Sequence, residues 1–162
     1  MLFFYLALIA ASLNLTAQNK NISLQASGLT CSMCSNAINK SLKTLPFVES
    51  IKANIQTSTF DIAVKPGSVA DYDLLKKKVE DAGFFVSKFL VTIPFTDAEM
   101  KTNTAVSYQD KRIIFVGAAQ NKLSAGDQPD RIVNKGFISA KEAKRLGIAV
   151  IPAVNKEYHA VI

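Results

Sequence analysis

Two periods of hydrophobic spacing take turns along residues 20–91. In Asn21–Ala26 the apolar positions are Ile22, Leu24 and Ala26, the two-residue alternation of a half-buried strand. From Ser32 to Leu45 they become Cys34, Ile38, Leu42 and Leu45, which line one face of a helix. Pro46 ends that helix because proline cannot continue the hydrogen-bond ladder. Alternation returns in Val48–Ile55, through Ile51, Ala53 and Ile55, and in Thr59–Val64, through Phe60, Ile62 and Val64. The short polar turn Gln56–Ser58 between them predicts an antiparallel hairpin. After the break at Pro66-Gly67, a second helix is expected over Asp71–Ala82, buried through Leu75, Val79 and Ala82. Asp71 and Asp73 suit its positive end, and Gly83 suits the position just past its C-terminus. Phe84–Val91 is the fourth strand. The resulting order is βαββαβ. It predicts an α+β, ferredoxin-like domain with two helices on one face of a four-stranded antiparallel sheet.

The pattern is weaker in residues 92–162. Leu90–Phe95 extends the fourth strand, and Thr104–Tyr108 and Arg112–Val116 read as strands. Leu123–Asp130 is rich in Gly, Asp and Pro and reads as a loop, with Asp127 and Asp130 around Pro129 in turn roles. Short strand pieces are expected at Arg131–Val133 and Gly136–Ile138. Ser139 and Glu142 form a capping box for a helix over Ala140–Leu146, which Gly147 ends. Ile148–Val154 is a last apolar run, broken by Pro152 and so suited to a sheet edge. These elements predict a small β-rich C-terminal domain with one helix, of unknown role, packed on the sheet face that the first two helices leave bare.

The first residues obey neither period. Met1–Ala11 is an unbroken apolar run, and Leu15-Thr16-Ala17 places a small residue at its end. The run is shorter than the ~20 residues that cross a bilayer. It is expected to be a signal peptide, residues 1–17, cleaved near Ala17-Gln18. The remainder has no stretch of transmembrane length, so the expected product is exported, periplasmic or secreted, and not membrane-spanning.

Composition then narrows the chemistry. The chain of 162 residues has a formal net charge of +6, with 2 Cys and 1 His. Two cysteines build neither a disulfide framework nor a four-cysteine zinc site. The excess charge is spread along the chain, and aromatics do not interleave with the basic residues as stacking platforms, so no nucleic-acid partner is expected. Lys76-Lys77-Lys78 reads as a solvated helix face. His159 has no nucleophile motif beside it, phosphate-binding glycine loops are absent, and no catalytic set emerges, so the chain is not expected to be an enzyme.

The chemistry left is that of Cys31-Ser32-Met33-Cys34, where the first loop becomes the first helix. Unpaired backbone N–H groups and the positive end of the helix dipole favour thiolates there. Cys31 is expected to be exposed and Cys34 half-buried. Two thiolates suit a soft ion in two-coordinate geometry, such as Cu(I) or Hg(II). Met33 has a soft thioether and is a third candidate, with packing as its plainer role. The same motif at a helix start also serves thiol–disulfide redox proteins. Their usual aromatic before the first cysteine and proline within the motif are absent here, where Thr30 and Ser32-Met33 stand. A structural disulfide and a metal-responsive interaction module are further alternatives.

Gly28-Leu29-Thr30-Cys31-Ser32-Met33-Cys34 resembles the GMTCxxC loop of the heavy-metal-associated domain family. The resemblance continues through Ile38, Leu42, Val48-Glu49-Ser50-Ile51 and Asp81-Ala82-Gly83-Phe84, and covers about residues 21–89. It implies that Cys31 and Cys34 bind Cu(I), or Hg(II) as in periplasmic mercury carriers. It also implies that Phe84, at a position where the family often has Lys or an aromatic residue, shields the metal. Leu29 stands where the family usually has Met, and Phe47 where it often has Gly. The implied partners are a metal donor and a metal acceptor, such as a membrane metal transporter.

Overall fold

A computed structural model describes residues 22–29, 31–93, 105–116 and 129–161. The expected signal peptide, Thr30, Asp127 and most of the loop 123–130 lie outside the described residues. The first strand, β1 (Ile22–Ser27), buries Ile22, Leu24 and Ala26 and leaves the residues between them half-exposed. The first helix, α1 (Ser32–Lys43), buries Ile38 and Leu42 completely. Its last turn carries Lys40 and Lys43, cations placed at the negative end of the helix dipole. Strands β2 (Val48–Asn54) and β3 (Thr59–Val64) form the expected hairpin, with Ile51 opposite Ile62 and Ala53 opposite Phe60.

The second helix, α2 (Tyr72–Asp81), starts where the Asp71 carboxylate accepts a hydrogen bond from the Leu74 N–H. It ends at Gly83, whose φ of +88° is the conformation a glycine takes past a helix end. Strand β4 (Phe85–Thr92) closes the unit. Both β3 and β4 pair antiparallel with β1, giving the order β2-β3-β1-β4. This is the ferredoxin-like arrangement.

The C-terminal residues continue the same sheet. They supply β5 (Ala105–Tyr108), β6 (Lys111–Phe115), β7 (Pro129–Ile132), the helix α3 (Ala140–Leu146) and β8 (Glu157–Val161). Strand β7 pairs antiparallel with β4, Leu90 opposite Arg131, and the eight strands run β2-β3-β1-β4-β7-β8-β6-β5. The C-terminal strands were expected on the bare face of the sheet; they add to its edge instead. The cause is the backbone of β4, whose outer N–H and C=O groups need partners. Among the described residues, α3 and the segments flanking it lie on the bare face. Ile132, Phe115 and Ala160 join the main core while Val133, Val116 and Val161 pack with Ile138 and Ala143 of the α3 side. Neighbouring strand residues point to opposite faces, so α3 is opposite α1 and α2.

Aromatic rings join the two parts around α2. Tyr72 packs against Phe89 at 5.3 Å and Tyr158 at 5.1 Å, and Phe137 meets Phe89 and Tyr158 edge-on. The Lys76 ammonium lies 4.7 Å from the centre of the Phe137 ring, and the Tyr158 hydroxyl donates to Asp73 at 2.8 Å. Each buried ring contributes ~1.5–3 kcal/mol by leaving water. The loop before Phe137 approaches α2 so closely that a Cβ on Gly136 would lie 2.9 Å from the Lys76 Cδ.

Three C-terminal expectations are corrected. Ile148–Val154 is not a strand; Val150, Ile151 and Val154 are exposed, and the final strand is Glu157–Val161, where Tyr158 and Ala160 alternate inward. Gly136–Ile138 is a turn closed by the Phe137 N–H on the Asn134 carbonyl. Asp130, expected in a turn, lies within β7 and is 1% exposed. Among the described residues, no helix is long and apolar enough to cross a membrane.

Candidate metal centre

The loop between β1 and α1 leaves the sheet at Gly28, whose φ of +85° a residue with a side chain rarely adopts. Leu29 packs against the core and fixes the near side of the loop. The chain then enters α1 through Cys31, the residue that caps the helix. Its backbone is extended, with φ −151° and ψ 160°, and its Sγ accepts the Cys34 N–H at 3.4 Å. A sulfur thus takes the place that a hydroxyl or carboxylate oxygen has in common helix caps. One turn along, Cys34 brings its own sulfur back to the same spot.

The two sulfurs are 2.8 Å apart. A disulfide bond is about 2.05 Å long, and no disulfide joins the two cysteines. Cys31 is exposed and Cys34 is half-buried, because Cys34 opens the buried stripe of α1. The Cys31 thiol is held below its ordinary pKa. The Cys34 thiol is the main cause, the N–H groups of Cys34 and Met33 add to it, and desolvation opposes it. The first turn of α1 carries no carboxylate to offset this. Among the described residues, no group of three or more His, Cys, Asp or Glu side chains is gathered for a metal. The donor set here is the thiol pair.

The other predicted residues fall at different distances from the chemistry. Met33 is 81% exposed between the cysteines. Phe84 is half-buried against the core, with its Cδ1 3.9 Å from where a Cβ on Gly28 would stand. It therefore braces the root of the loop. His159 lies in β8, three strands along the sheet from β1, with Nδ1 3.2 Å from the Asn134 amide. Phe85 was missed by sequence reasoning. It is 69% exposed and lies opposite Ser27, whose hydroxyl donates to the Phe85 carbonyl. Ile55 is exposed in the β2–β3 turn, which is tied to the end of β1 by the Ala26 N–H on the Ser58 carbonyl. The thiols consequently sit at an end of the unit that also shows Met33, Phe85 and Ile55 to solvent. The Phe84-Phe85 doublet was the available signal, since successive residues entering a strand face opposite ways.

Fold and site together define a small ferredoxin-like module with a two-thiol CxxC centre at the start of its first helix. Residues 23–85 match the model of the heavy-metal-associated domain. The copper-exporting P-type ATPase of Bacillus subtilis is 31% identical over 70 residues, which are 43% of this chain and 9% of the ATPase. The chain thus spans about a tenth of the length of that curated relative. Among solved structures, the putative copper-ion-binding protein from Bacillus anthracis str. Ames is 32% identical, with 40% of this chain and 90% of that one covered and a TM-score of 0.37. The yeast copper transporter domain, studied in apo and Cu(I)-loaded states, is 30% identical, with 41% and 90% covered and a TM-score of 0.36.

Proposed function

We propose that this chain is an exported, non-enzymatic carrier of Cu(I) that holds the ion between Cys31 and Cys34 and passes it on by thiolate exchange. The observation that carries the reading is the pair of sulfurs 2.8 Å apart with Cys31 exposed. Thiolates suit Cu(I), zinc and iron–sulfur clusters, and a pair with no further ligands beside it suits Cu(I) better than four-coordinate zinc. Even zinc–sulfur bonds are about 2.3 Å, so an ion lying between the two sulfurs requires their gap to widen. Cys31 is in the cap and exposed, free to turn outward, while Cys34 is anchored on the helix. Each metal–sulfur bond to an incoming thiolate forms as one to Cys31 or Cys34 breaks, and the copper stays Cu(I) throughout. The donor and acceptor are proteins that offer thiolates of their own, such as a membrane metal transporter. The copper-binding character of the relatives supports the choice of ion, and the apolar run Met1–Ala11 supports export.

Anaerobic competition titration of the reduced chain with Cu(I), Hg(II) and Zn(II) tests the proposal. One Cu(I) per chain is expected, with zinc unable to compete, and Cys31→Ser or Cys34→Ser abolishes binding. Preference for Hg(II) over Cu(I) would move the reading to a mercury carrier. Binding of none of them, together with turnover in a thiol–disulfide exchange assay, would replace it with a redox role. Export is checked separately by recovering the chain outside the cytoplasm with a new N-terminus near Gln18.

A further inference from the structure

A polar groove runs between the ferredoxin-like unit and the C-terminal extension, on the face opposite α1 and α2. It is lined by Gln25, Ser87, Lys88, Arg131, Ser139 and Glu142. Lys88 is half-buried and has no ion-pair partner among the described residues. Arg131 is 9% exposed; its Nη1 donates to Glu142 at 2.6 Å, while its Nε is buried with no acceptor.

The hydrogen-bonding capacity of this groove is unbalanced. Both carboxylate oxygens of Glu142 already accept guanidinium N–H groups, from Arg131 and from Arg145. The Ser139 hydroxyl oxygen accepts the Glu142 N–H, which leaves its own hydrogen to give. The Gln25 amide nitrogen is committed to the Thr57 carbonyl, and the Ser87 hydroxyl to the Gln25 carbonyl. What remains unspent is chiefly donors: the Lys88 ammonium, the rest of the Arg131 guanidinium and the Ser139 hydroxyl. Of the charged residues lining the groove, Lys88 and Arg131 are cations and Glu142 is the one carboxylate, which Arg145 also pairs. A group rich in acceptors and carrying negative charge complements that set, and oxyanions bind such forks of N–H donors in charge-assisted geometry.

We propose that the groove binds a small oxyanion, the phosphate or carboxylate group of a solute, between Lys88 and Arg131. The site is separate from the thiol pair and independent of the carrier role. It exists only because β7 joins β4, since β4 supplies Ser87 and Lys88, β7 supplies Arg131, and Ser139 and Glu142 arrive with α3.

The test is a ¹⁵N-resolved NMR titration of the whole reduced chain with sodium phosphate and, separately, sodium succinate, against sodium chloride at matched ionic strength. Saturable shifts are expected at the Ser87, Lys88 and Ser139 amides and at the Arg131 Nε–H, with the amides of Cys31 and Cys34 unmoved. Saturation by phosphate or by succinate identifies which oxyanion the groove takes. Lys88→Gln keeps the fold, because Lys88 makes no ion pair, and is expected to weaken binding about tenfold through loss of one charge-assisted contact. Shifts no larger than those with chloride, shifts spread equally over surface lysines such as Lys40 and Lys43, or unchanged affinity in Lys88→Gln would each overturn the proposal.

Discussion

Asp130 gives the structure a pH dependence that a single substitution isolates. Its carboxyl is 1% exposed in β7, opposite Val91 of β4. It accepts the Ile93 backbone N–H, but burial outweighs that bond and raises its pKa from 3.8 to about 7. Oδ2 has no hydrogen-bond partner. A folded-state pKa above the unfolded one means that the native chain holds the proton more tightly. Stability linked to Asp130 is therefore complete below pH ~4, falls as pH rises towards about 7, and is lost above it. Each tenfold change in proton affinity is worth ~1.4 kcal/mol, so the ceiling on this loss is ~4 kcal/mol. Asp130→Asn keeps the shape and removes the charge. We expect it to stabilise the reduced, metal-free chain by ~2–4 kcal/mol at pH 8 and by no more than ~1 kcal/mol at pH 4.5. Urea unfolding followed by circular dichroism at a series of pH values measures this, with a midpoint about 1–2 M higher for the variant at pH 8 and an unchanged slope. The carboxyls of Asp110 and Glu142 are lowered to about 2 by their lysine and arginine partners. Their contributions are lost only as pH falls below ~4 towards 2, outside the window compared. A gain of equal size at both pH values, or none at pH 8, would refute the reasoning.

Other substitutions probe the remaining links. Phe137→Ala removes a fully buried ring from the cluster around α2 and is expected to cost ~3–5 kcal/mol in chemical denaturation, with the largest loss of amide-exchange protection in β7 and β8. Gly136→Ala places a methyl group 2.9 Å from the Lys76 Cδ at a φ of +87° and is expected to cost ~1–2 kcal/mol; an unchanged melting temperature would show that the loop gives way freely. Met33→Ala alters a side chain that is 81% exposed. It is expected to leave stability within ~0.5 kcal/mol and Cu(I) stoichiometry at one per chain, whereas loss of binding in the titration would make Met33 a ligand.

The parts that could be read from the sequence are those whose cause is local. Ile22, Leu24 and Ala26 repeat with the period of their strand, and Cys34, Ile38 and Leu42 with that of their helix, so burial at these positions follows from spacing alone. The thiol pair is local too: three residues at a helix start suffice to turn Cys31 back onto Cys34. Asp130 lacked any such signal. Its neighbours Asp127 and Pro129 gave it the composition of a turn, and only the free edge of β4, some forty residues earlier in the chain, draws it into a strand. Tyr72 is similar, since its ring is enclosed by Phe89 and Tyr158, the second of them in the last strand. Ile148–Val154 failed in the opposite direction: Ile148 and Ala153 pack against the core clusters, but Val150, Ile151 and Val154 meet no partner surface and stay exposed.

The same division bears on the site. The extension bonds to β4 and encloses the outer side of α2, while α1 packs on β2 and α2 and keeps Asn36, Ala37, Lys40 and Lys43 exposed. Its described residues therefore leave open the end where Cys31 stands, itself exposed, and the helix that begins there. On the carrier role proposed above, an incoming thiolate would reach Cys31 from this side. The face of the module made inaccessible is the one that the chain's own aromatic residues occupy.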